Sequence, residues 1–435
     1  MVSNAYFWIL APFLIGIAFI GGCAQHPDNS AQAETASEPQ KAEKPSFDAL
    51  QLGNLCSGEA ECNTFCHDNK GRCKDYCNNN PENELCQKLG FAKSSCGNEK
   101  IKFDYAPVNL DKTALLLPLG LMSGGHVTPV DHHYFQNFEN EKFDIEVYSP
   151  GRGSMTSIQH MPGAKEGEDY RIVIDHTCSI SSIFIHVALL SEKLKPYAPA
   201  NNGYAGVKIP VEAGEIIGYY ASNVDYSIAD TEIALPGLLV PEHYEPETWK
   251  VHTANIYDYF NEPVRSRLVE KSLRTAEPIS GKIDYDIDGK LSGNWFLQGS
   301  NGYFGAEKYA YWQGHLAIAY DYLDPERIVF SIAGYNGQDS HQFGVKGNLP
   351  DPSEIGMEGG LVKFELVEYD YITPSGSPWD RKSLVKGLKT KSNEIVQGML
   401  LVQVLDGREI KFEIFPGKTA SQVDGFTDNA KIYER

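Results

Sequence analysis

Residues 170–220 constrain the fold of this chain more than any other segment. They contain one strand pattern that ends at His176, a second that carries His186, and a third that follows a turn of the form V-x-x-G-x-x-I-G. Alternating apolar residues are typical of strands with one buried face. The chain also contains 40 Gly, 24 Tyr and 20 Phe, as expected of strands joined by tight turns. The segment therefore predicts a small all-β domain.

The order of these strands and histidines resembles the core of the lysostaphin-type (LytM-like) zinc endopeptidases, whose small all-β domain cuts peptidoglycan cross-bridges. The sequence F-I-H-V around His186 matches the family's Y-x-H-L, in which the histidine is catalytic. The sequence Y-S-P-G-R-G at residues 148–153 resembles the family's A-P-x-x-G turn. The resemblance implies a LytM-like β domain over residues 99–240.

Zinc in that family is held by a His, an Asp four residues later, and the second His of a terminal His-x-His. Three protein ligands leave one position for a water that ionises near neutral pH. The resemblance implies His126 and Asp131 as metal ligands, with His132 as a nearby donor and His186 as the catalytic histidine. Here His126 and Asp131 are five residues apart, and D-Y-S-I-A-D-T-E-I stands where the His-x-His should be.

The missing histidines predict a domain that binds without cutting. Loss of a ligand weakens a zinc site, and the same change removes a general base. We therefore expect no cofactor and an inactive peptidase-like domain that binds an envelope glycan, an envelope hydrolase or a small ligand. The alternative is an active zinc endopeptidase with an altered ligand set drawn from His126, Asp131 and His132. In that case a carboxylate of Asp230 or Glu232 could replace an imidazole.

The N-terminus predicts export and anchoring. An apolar run over residues 5–20 leads into Gly-Gly-Cys, although no Lys or Arg precedes it. Residues 1–23 resemble a lipoprotein signal, so we predict that Cys23 is lipidated and that the protein is membrane-anchored on the extracytoplasmic side. A retained apolar anchor is the alternative, and it would be short of the roughly 20 residues that span a bilayer.

A disordered tether over residues 24–49 and a cysteine module over residues 50–98 should follow the signal. The tether is rich in Ala, Gln, Glu, Pro and Ser. Cysteines that cluster in an exported chain indicate disulfides. Cys62 and Cys66 are four residues apart, as are Cys73 and Cys77, and this spacing places both members of a pair on one face of a helix. We predict a small helical module with Cys62–Cys77 and Cys66–Cys73 bridges, with zinc as the alternative. The other cysteines of this module are Cys56, Cys86 and Cys96, and Cys96 is either free or paired with Cys178.

The C-terminal part, residues 278–435, is predicted to be an antiparallel β barrel or sandwich, reached through a helical connector over residues 245–275. Asp288-Gly289 predicts a hairpin. The aspartates before it resemble the opening of a calcium loop, but Trp295 stands where such a loop needs a bidentate Glu. Alternation explains them better, with Ile283, Tyr285 and Ile287 on the core face and the aspartates in solvent. The predicted strands are residues 315–320, 327–333, 361–367, 398–405 and 409–415.

The net charge of the chain is −20. A polyanionic partner would be repelled by this charge, so we expect no nucleic-acid binding. The sequence also lacks a G-x-S-x-G elbow, a phosphate loop and a dinucleotide fingerprint, which leaves serine hydrolases and nucleotide enzymes unsupported.

Overall fold

The computed structural model of the protein describes residues 100–161, 169–305 and 310–435. The predicted signal segment, tether and cysteine module lie outside these residues, together with the lipidation of Cys23 and the bridges among the cysteines at positions 56–96. These remain predictions. No helix within the described ranges combines the length and the apolar character needed to cross a bilayer.

The first part of the described chain contains short strands separated by turns. They are β1 (Leu115–Leu117), β2 (His133–Gln136), β3 (Ile145–Tyr148), β4 (Gly153–His160), β5 (Tyr170–Asp175), β6 (Ile180–Val187), β7 (Leu189–Leu190), β8 (Tyr204–Val211), β9 (Ile216–Tyr220) and β10 (Asn223–Asp230).

These strands build two antiparallel sheets over one core. Among the described residues, the larger sheet has the order β1-β2-β10-β6-β5-β4-β8, and the smaller has the order β3-β9-β7. Alternation explains the burial: Ile172 and Ile174 of β5 point into the core, whereas Arg171 and Val173, which alternate with them, are only partly buried. Phe184 of β6 joins the same apolar cluster. The predicted all-β region is therefore present.

Helical turns connect this region to the second one. Two 3-10 helices span Pro241–His252 and Ile256–Tyr259, and an α-helix, α1, spans Val264–Lys271. Asn255 caps the second 3-10 helix, because its side chain accepts a hydrogen bond from the N–H of Tyr257. Leu268 of α1 is buried against the core of the first region.

The second region is a closed antiparallel barrel. Of the two predicted architectures, barrel and sandwich, the barrel is therefore the one that forms. β18 pairs with β11 and closes the ring among the described strands. A closed ring leaves no sheet edge exposed. The strands are β11 (Gly293–Leu297), β12 (His315–Tyr320), β13 (Ile328–Ala333), β14 (Ser340–Val345), β15 (Val362–Ile372), β16 (Lys389–Val404), β17 (Glu409–Pro416) and β18 (Lys431–Glu434).

The predicted hairpin at Asp288-Gly289 is wrong. Residues 282–287 form no strand, although Gly289 turns the chain with a φ of 71°. Ile283 and Tyr285 are buried as predicted, but Asp286 is buried and Ile287 is exposed, so the alternation breaks at these two residues. The reason is a buried ion pair: the Asp286 carboxylate lies 3.5 Å from the guanidinium of Arg435 and accepts the N–H of Asn294 at 2.7 Å. A tertiary contact with the C-terminus therefore overrides the local pattern.

The two β regions share an apolar cluster. Loop and strand residues of the first sheet pack against the barrel, and the Ser340 hydroxyl of the barrel donates a hydrogen bond to the carbonyl of Gly124 at 2.6 Å. This packing places barrel residues beside the loop that precedes β2. The buried members of the cluster are Leu115, Leu117, Val130, Tyr134, Leu273, Tyr322, Leu323, Tyr371, Trp379 and Leu388.

Candidate functional site

Three elements of the larger sheet bring polar side chains to one place. β10 lies between β2 and β6, so Asp225 stands opposite Tyr134 on one side and Ile185 on the other. His186 follows Ile185 with a φ of 68°, in the left-handed region that a non-glycine residue rarely adopts. The β5–β6 register shifts between Tyr170 and Ile172, beside this residue. Such irregularities re-aim side chains, and here the His186 ring turns toward Asp225.

Asp225 is the centre of the cluster. One carboxylate oxygen lies 3.3 Å from Nε2 of His132 and 3.5 Å from Nε2 of His186. The other accepts a hydrogen bond from the Asn223 amide at 2.8 Å. His132 Nε2 also lies 3.0 Å from the Tyr134 hydroxyl. A carboxylate that is only 3% exposed needs such partners, because burial of an unpaired charge is strongly unfavourable.

The second nitrogen of each histidine faces another carboxylate. Nδ1 of His186 lies 2.9 Å from Asp169 Oδ2, and Nδ1 of His132 lies 3.3 Å from Asp131 Oδ1. Positive and negative side chains therefore alternate through the site, in the order Lys250, Asp131, His132, Asp225, His186 and Asp169. We call this set the carboxylate–histidine network; it consists of Asp131, Asp169, Asp225, His132, His186 and Lys250.

The network favours the protonated form of both histidines. Burial alone would lower the pKa of His186, but the charge of Asp225 and the hydrogen bond to Asp169 outweigh it and raise the pKa to about 9. Burial likewise opposes protonation of His132, and Asp225 and Asp131 raise its pKa despite this. An imidazole that is protonated at both nitrogens has no lone pair for a metal ion.

Lys250 supplies the third positive charge, from the helical connector. Its side chain is 2% exposed, and its Nζ lies 3.8 Å from Asp131 Oδ1. The ammonium donates to the carbonyl of Pro129 at 3.2 Å and lies 5.1 Å from the ring centroid of Tyr303. Burial opposes ionisation of Asp131, but Lys250 and His132 keep its pKa well below the usual range.

His126 lies at the mouth of the site. Its ring is exposed to solvent and its centroid is 5.7 Å from that of His132. The protein around the ring displaces solvating water, and His132 and Lys250 add repulsion, so the pKa of His126 is lowered. On the barrel side, a Cβ atom on Gly125 would come within 3.3 Å of the Trp312 ring. An aromatic wall from the barrel thus borders the loop that carries His126.

The sequence-predicted residues are only partly brought together. His126, Asp131, His132 and His186 belong to one neighbourhood, but Asp230 and Glu232 do not reach it. Asp230 accepts a hydrogen bond from the Tyr259 hydroxyl at 2.6 Å, and Glu232 is exposed. Among the described residues, no group of three or more His, Cys, Asp or Glu side chains is arranged to hold a metal ion.

Two further histidines have structural partners. Residues 176–179 form a bend, so the strand predicted to end at His176 ends one residue earlier, at Asp175. His176 Nδ1 lies 3.0 Å from the carbonyl of Arg152, and Nε2 lies 2.9 Å from the Ser182 hydroxyl. His133 is buried away from the site, and its Nε2 lies 3.0 Å from the hydroxyl of Ser280. The pKa of His176 is lowered to about 4 by burial.

The sequence reading missed Asp225 and Lys250 as site residues. Asn223 and Asp225 share one face of β10 with the spacing of the expected His-x-His, and this spacing was the available signal for Asp225. Lys250 had no comparable signal, because it comes from the connector and reaches the network only through tertiary folding.

Comparison with known proteins gives a slight structural likeness. No family model and no curated protein matches the chain. The chain is similar to a solved structure, the "NMR solution structure of lysostaphin", with 9% sequence identity and a TM-score of 0.23. The match covers 78% of this chain and 92% of that chain. A likeness of this size carries no argument about activity, so the function has to be argued from the site.

Proposed function

We propose that this chain is a non-catalytic, membrane-tethered binding protein of the cell envelope, with a peptidase-like β region whose polar centre has lost metal-dependent chemistry. One observation carries the proposal: each carboxylate of the carboxylate–histidine network is already paired with a cationic side chain of the protein. Asp225 bridges two histidines, Asp169 holds one of them, and Asp131 pairs with His132 and Lys250.

Internal pairing opposes zinc for two reasons. A hydrolytic zinc needs three ligands with free lone pairs and an open position for water. His132 and His186 direct their nitrogens at carboxylates rather than at a common empty point. The buried ammonium of Lys250, 3.8 Å from Asp131, would also repel a divalent cation at that carboxylate.

The remaining surface of the site supports binding. His126 is exposed, the His186 side chain is 45% exposed, and Trp312, which is partly exposed, lies beside Gly125. Aromatic and imidazole rings at the edge of a cleft provide the mixed apolar and polar contacts that ligand sites use. Anchoring through a lipid on Cys23 would hold this surface next to envelope glycans and the hydrolases that act on them.

The test uses the full-length protein with cross-linked peptidoglycan fragments. We expect no zinc-dependent release of new amino termini, and we expect the protein to co-sediment with the intact polymer or to bind a wall hydrolase in a pull-down with purified components. Zinc-dependent cleavage that disappears in His126→Ala and persists in the control His160→Ala would contradict the proposal and support an altered zinc endopeptidase.

One observation favours that second candidate. The lowered pKa of His126 keeps its imidazole neutral, and its exposed ring lies 5.7 Å from that of His132. A neutral imidazole can donate its lone pair to zinc, so His126 could act as a zinc ligand together with Asp131 and His132. The cleavage assay with His126→Ala therefore separates the two functions.

A further inference from the structure

The rim of the barrel contains a second polar and aromatic site, separate from the carboxylate–histidine network. A pocket of about 250 Å³ lies where the turn between β13 and β14 meets β15, β16 and the end of β17. The mouths of β-barrels are common places for small-ligand binding. Nothing in the proposed function of the first region depends on this pocket.

One wall of the pocket is aromatic. The rings of His341 and Phe343 lie with centroids 4.2 Å apart and planes inclined by 33°. Tyr335 packs edge-on against Phe343 at 4.9 Å. Phe343 is buried, whereas Tyr335 and His341 keep part of their surface in solvent. The buried ring thus fixes two rings that remain accessible to a ligand.

A second wall, which meets the first where His341 contacts Glu368, is polar and contains irregularities of the sheet. In the β15–β16 register, Leu366 pairs with Gly398 and Val367 with Val396, so Gln397 has no cross-strand partner in this fully described pair of strands. A second shift follows between Val367 and Tyr369, where Glu368 of β15 faces residues 393–395 of β16 and has no register partner. Irregularities of this kind re-aim side chains, and here Gln397 and Glu368 both line the pocket.

Hydrogen bonds fix the polar groups and leave some of them unused. His341 Nε2 lies 2.8 Å from Glu368 Oε1, and His341 Nδ1 lies 3.2 Å from the amide oxygen of Gln338. Gln397 donates its amide to the carbonyl of Ile395 at 3.1 Å. Among the described residues, the second carboxylate oxygen of Glu368 and the amide oxygen of Gln397 have no hydrogen-bond partner. Both can accept from a ligand hydroxyl.

We propose that this pocket binds one ring of a neutral saccharide. A sugar ring has an apolar C–H face, which suits the Tyr335 and His341 rings, and hydroxyl donors at its edge, which suit Glu368 and Gln397. The volume fits a single ring, because it lies just below the range of drug-sized ligands. Glu368 is the charged residue of the lining, and no Lys or Arg of the described chain lines it. Acidic or phosphorylated sugars are therefore disfavoured.

The experiment is saturation-transfer NMR and calorimetry on the full-length protein. The probes are cellotriose, maltotriose and the trimer of N-acetylglucosamine, with a trigalacturonate as the acidic counterpart. We expect at least one neutral trisaccharide to bind and the trigalacturonate not to bind. Glu368→Gln should weaken binding about tenfold, because it removes a charge-assisted hydrogen bond. Tyr335→Ala should weaken it about five- to tenfold.

Matched controls keep the test decisive. Tyr197→Ala removes a tyrosine that is 47% exposed in the first region and should change the affinity by less than about twofold. His160→Ala, at the end of β4 in the first region, should also leave saccharide binding unchanged. Failure of all three neutral probes to bind would overturn the proposal. So would binding that survives Tyr335→Ala and Glu368→Gln in protein with wild-type circular dichroism.

Discussion

The carboxylate–histidine network and the barrel pocket use similar side chains in opposite ways. Each contains histidine beside carboxylate, with Nε2 of His132 3.3 Å from Asp225 and Nε2 of His341 2.8 Å from Glu368. In the network the carboxylate is 3% exposed and both of its oxygens have protein partners. In the pocket the Glu368 side chain is 42% exposed and one oxygen is unused.

Exposure and unused hydrogen-bonding capacity distinguish a binding site from a structural cluster. Buried charges that satisfy one another contribute to folding and have little left to offer a ligand. Partly exposed groups that are oriented but not saturated contribute little to folding and can bind. Changes at the buried members of the network, such as Asp225 and Lys250, should therefore mainly alter stability, whereas changes in the pocket should mainly alter binding.

The largest effect should come from Asp225→Ala. Removal of the central carboxylate leaves the His132 and His186 rings facing each other without their shared acceptor. We expect the free energy of unfolding at pH 6 to fall by about 3 kcal/mol, measured by urea denaturation. Glu192→Ala, at a side chain that is 89% exposed, should change it by less than about 0.5 kcal/mol. Equal effects of the two variants would remove the distinction between network and surface.

Lys250→Met should have the next largest effect. The change keeps the length of the side chain but leaves Asp131 without its ammonium partner and Pro129 without its donor. We expect a loss of about 2 kcal/mol in the free energy of unfolding. The matched control is Lys193→Met, whose ammonium is 44% exposed in its pair with Glu215 and whose loss should be below about 1 kcal/mol. A stabilised Lys250→Met protein would show that the ammonium is not needed by the network.

A smaller effect should appear in the pH dependence of stability. The pKa of His186 is raised from 6.5 to about 9 by Asp225 and Asp169, against the effect of burial. Its stabilising contribution is therefore complete below pH 6.5 and is lost as the pH rises through 9. The difference in unfolding free energy between wild type and His186→Gln should fall by about 1 kcal/mol from pH 6 to pH 9.5, a value reduced for solvent screening of a half-exposed ring. A difference that rises with pH would contradict a raised pKa of His186 in the folded protein.

The smallest effect on stability should come from Glu368→Gln. The carboxylate is partly exposed and accepts one hydrogen bond from His341, so the free energy of unfolding should change by less than about 0.5 kcal/mol. Thermal unfolding followed by circular dichroism is sufficient to measure this. A loss comparable to that of Asp225→Ala would mean that the pocket, like the network, is mainly structural.

The sequence predicted the strands well where alternation was local. The predicted strand over residues 315–320 coincides with β12, and residues 409–415 fall within β17. Strand prediction failed where a residue distant in the sequence determines the local structure. Arg435 draws Asp286 into the protein and breaks the hairpin pattern, and no local window contains both residues.

The site was predictable in part for the same reason. His186 stood out because its strand motif is local. Asp225 was not assigned because Asp230 and Glu232, in the same segment, were taken as the carboxylates that could replace an imidazole. Lys250 was not assigned because it lies on a separate connector. The polar wall of the barrel pocket depends on bulges at Glu368 and Gln397, and a one-residue irregularity in strand register leaves no mark in apolar periodicity.

Zinc titration of the full-length protein shows whether the carboxylate–histidine network is closed to metal ions. If the carboxylate–histidine network pairs its charges internally, calorimetry at pH 7 should detect no zinc site tighter than about 1 μM, in wild type and in His126→Ala alike. One zinc per chain bound more tightly than this, lost in His126→Ala and retained in His160→Ala, would contradict the claim and identify the site as a metal centre.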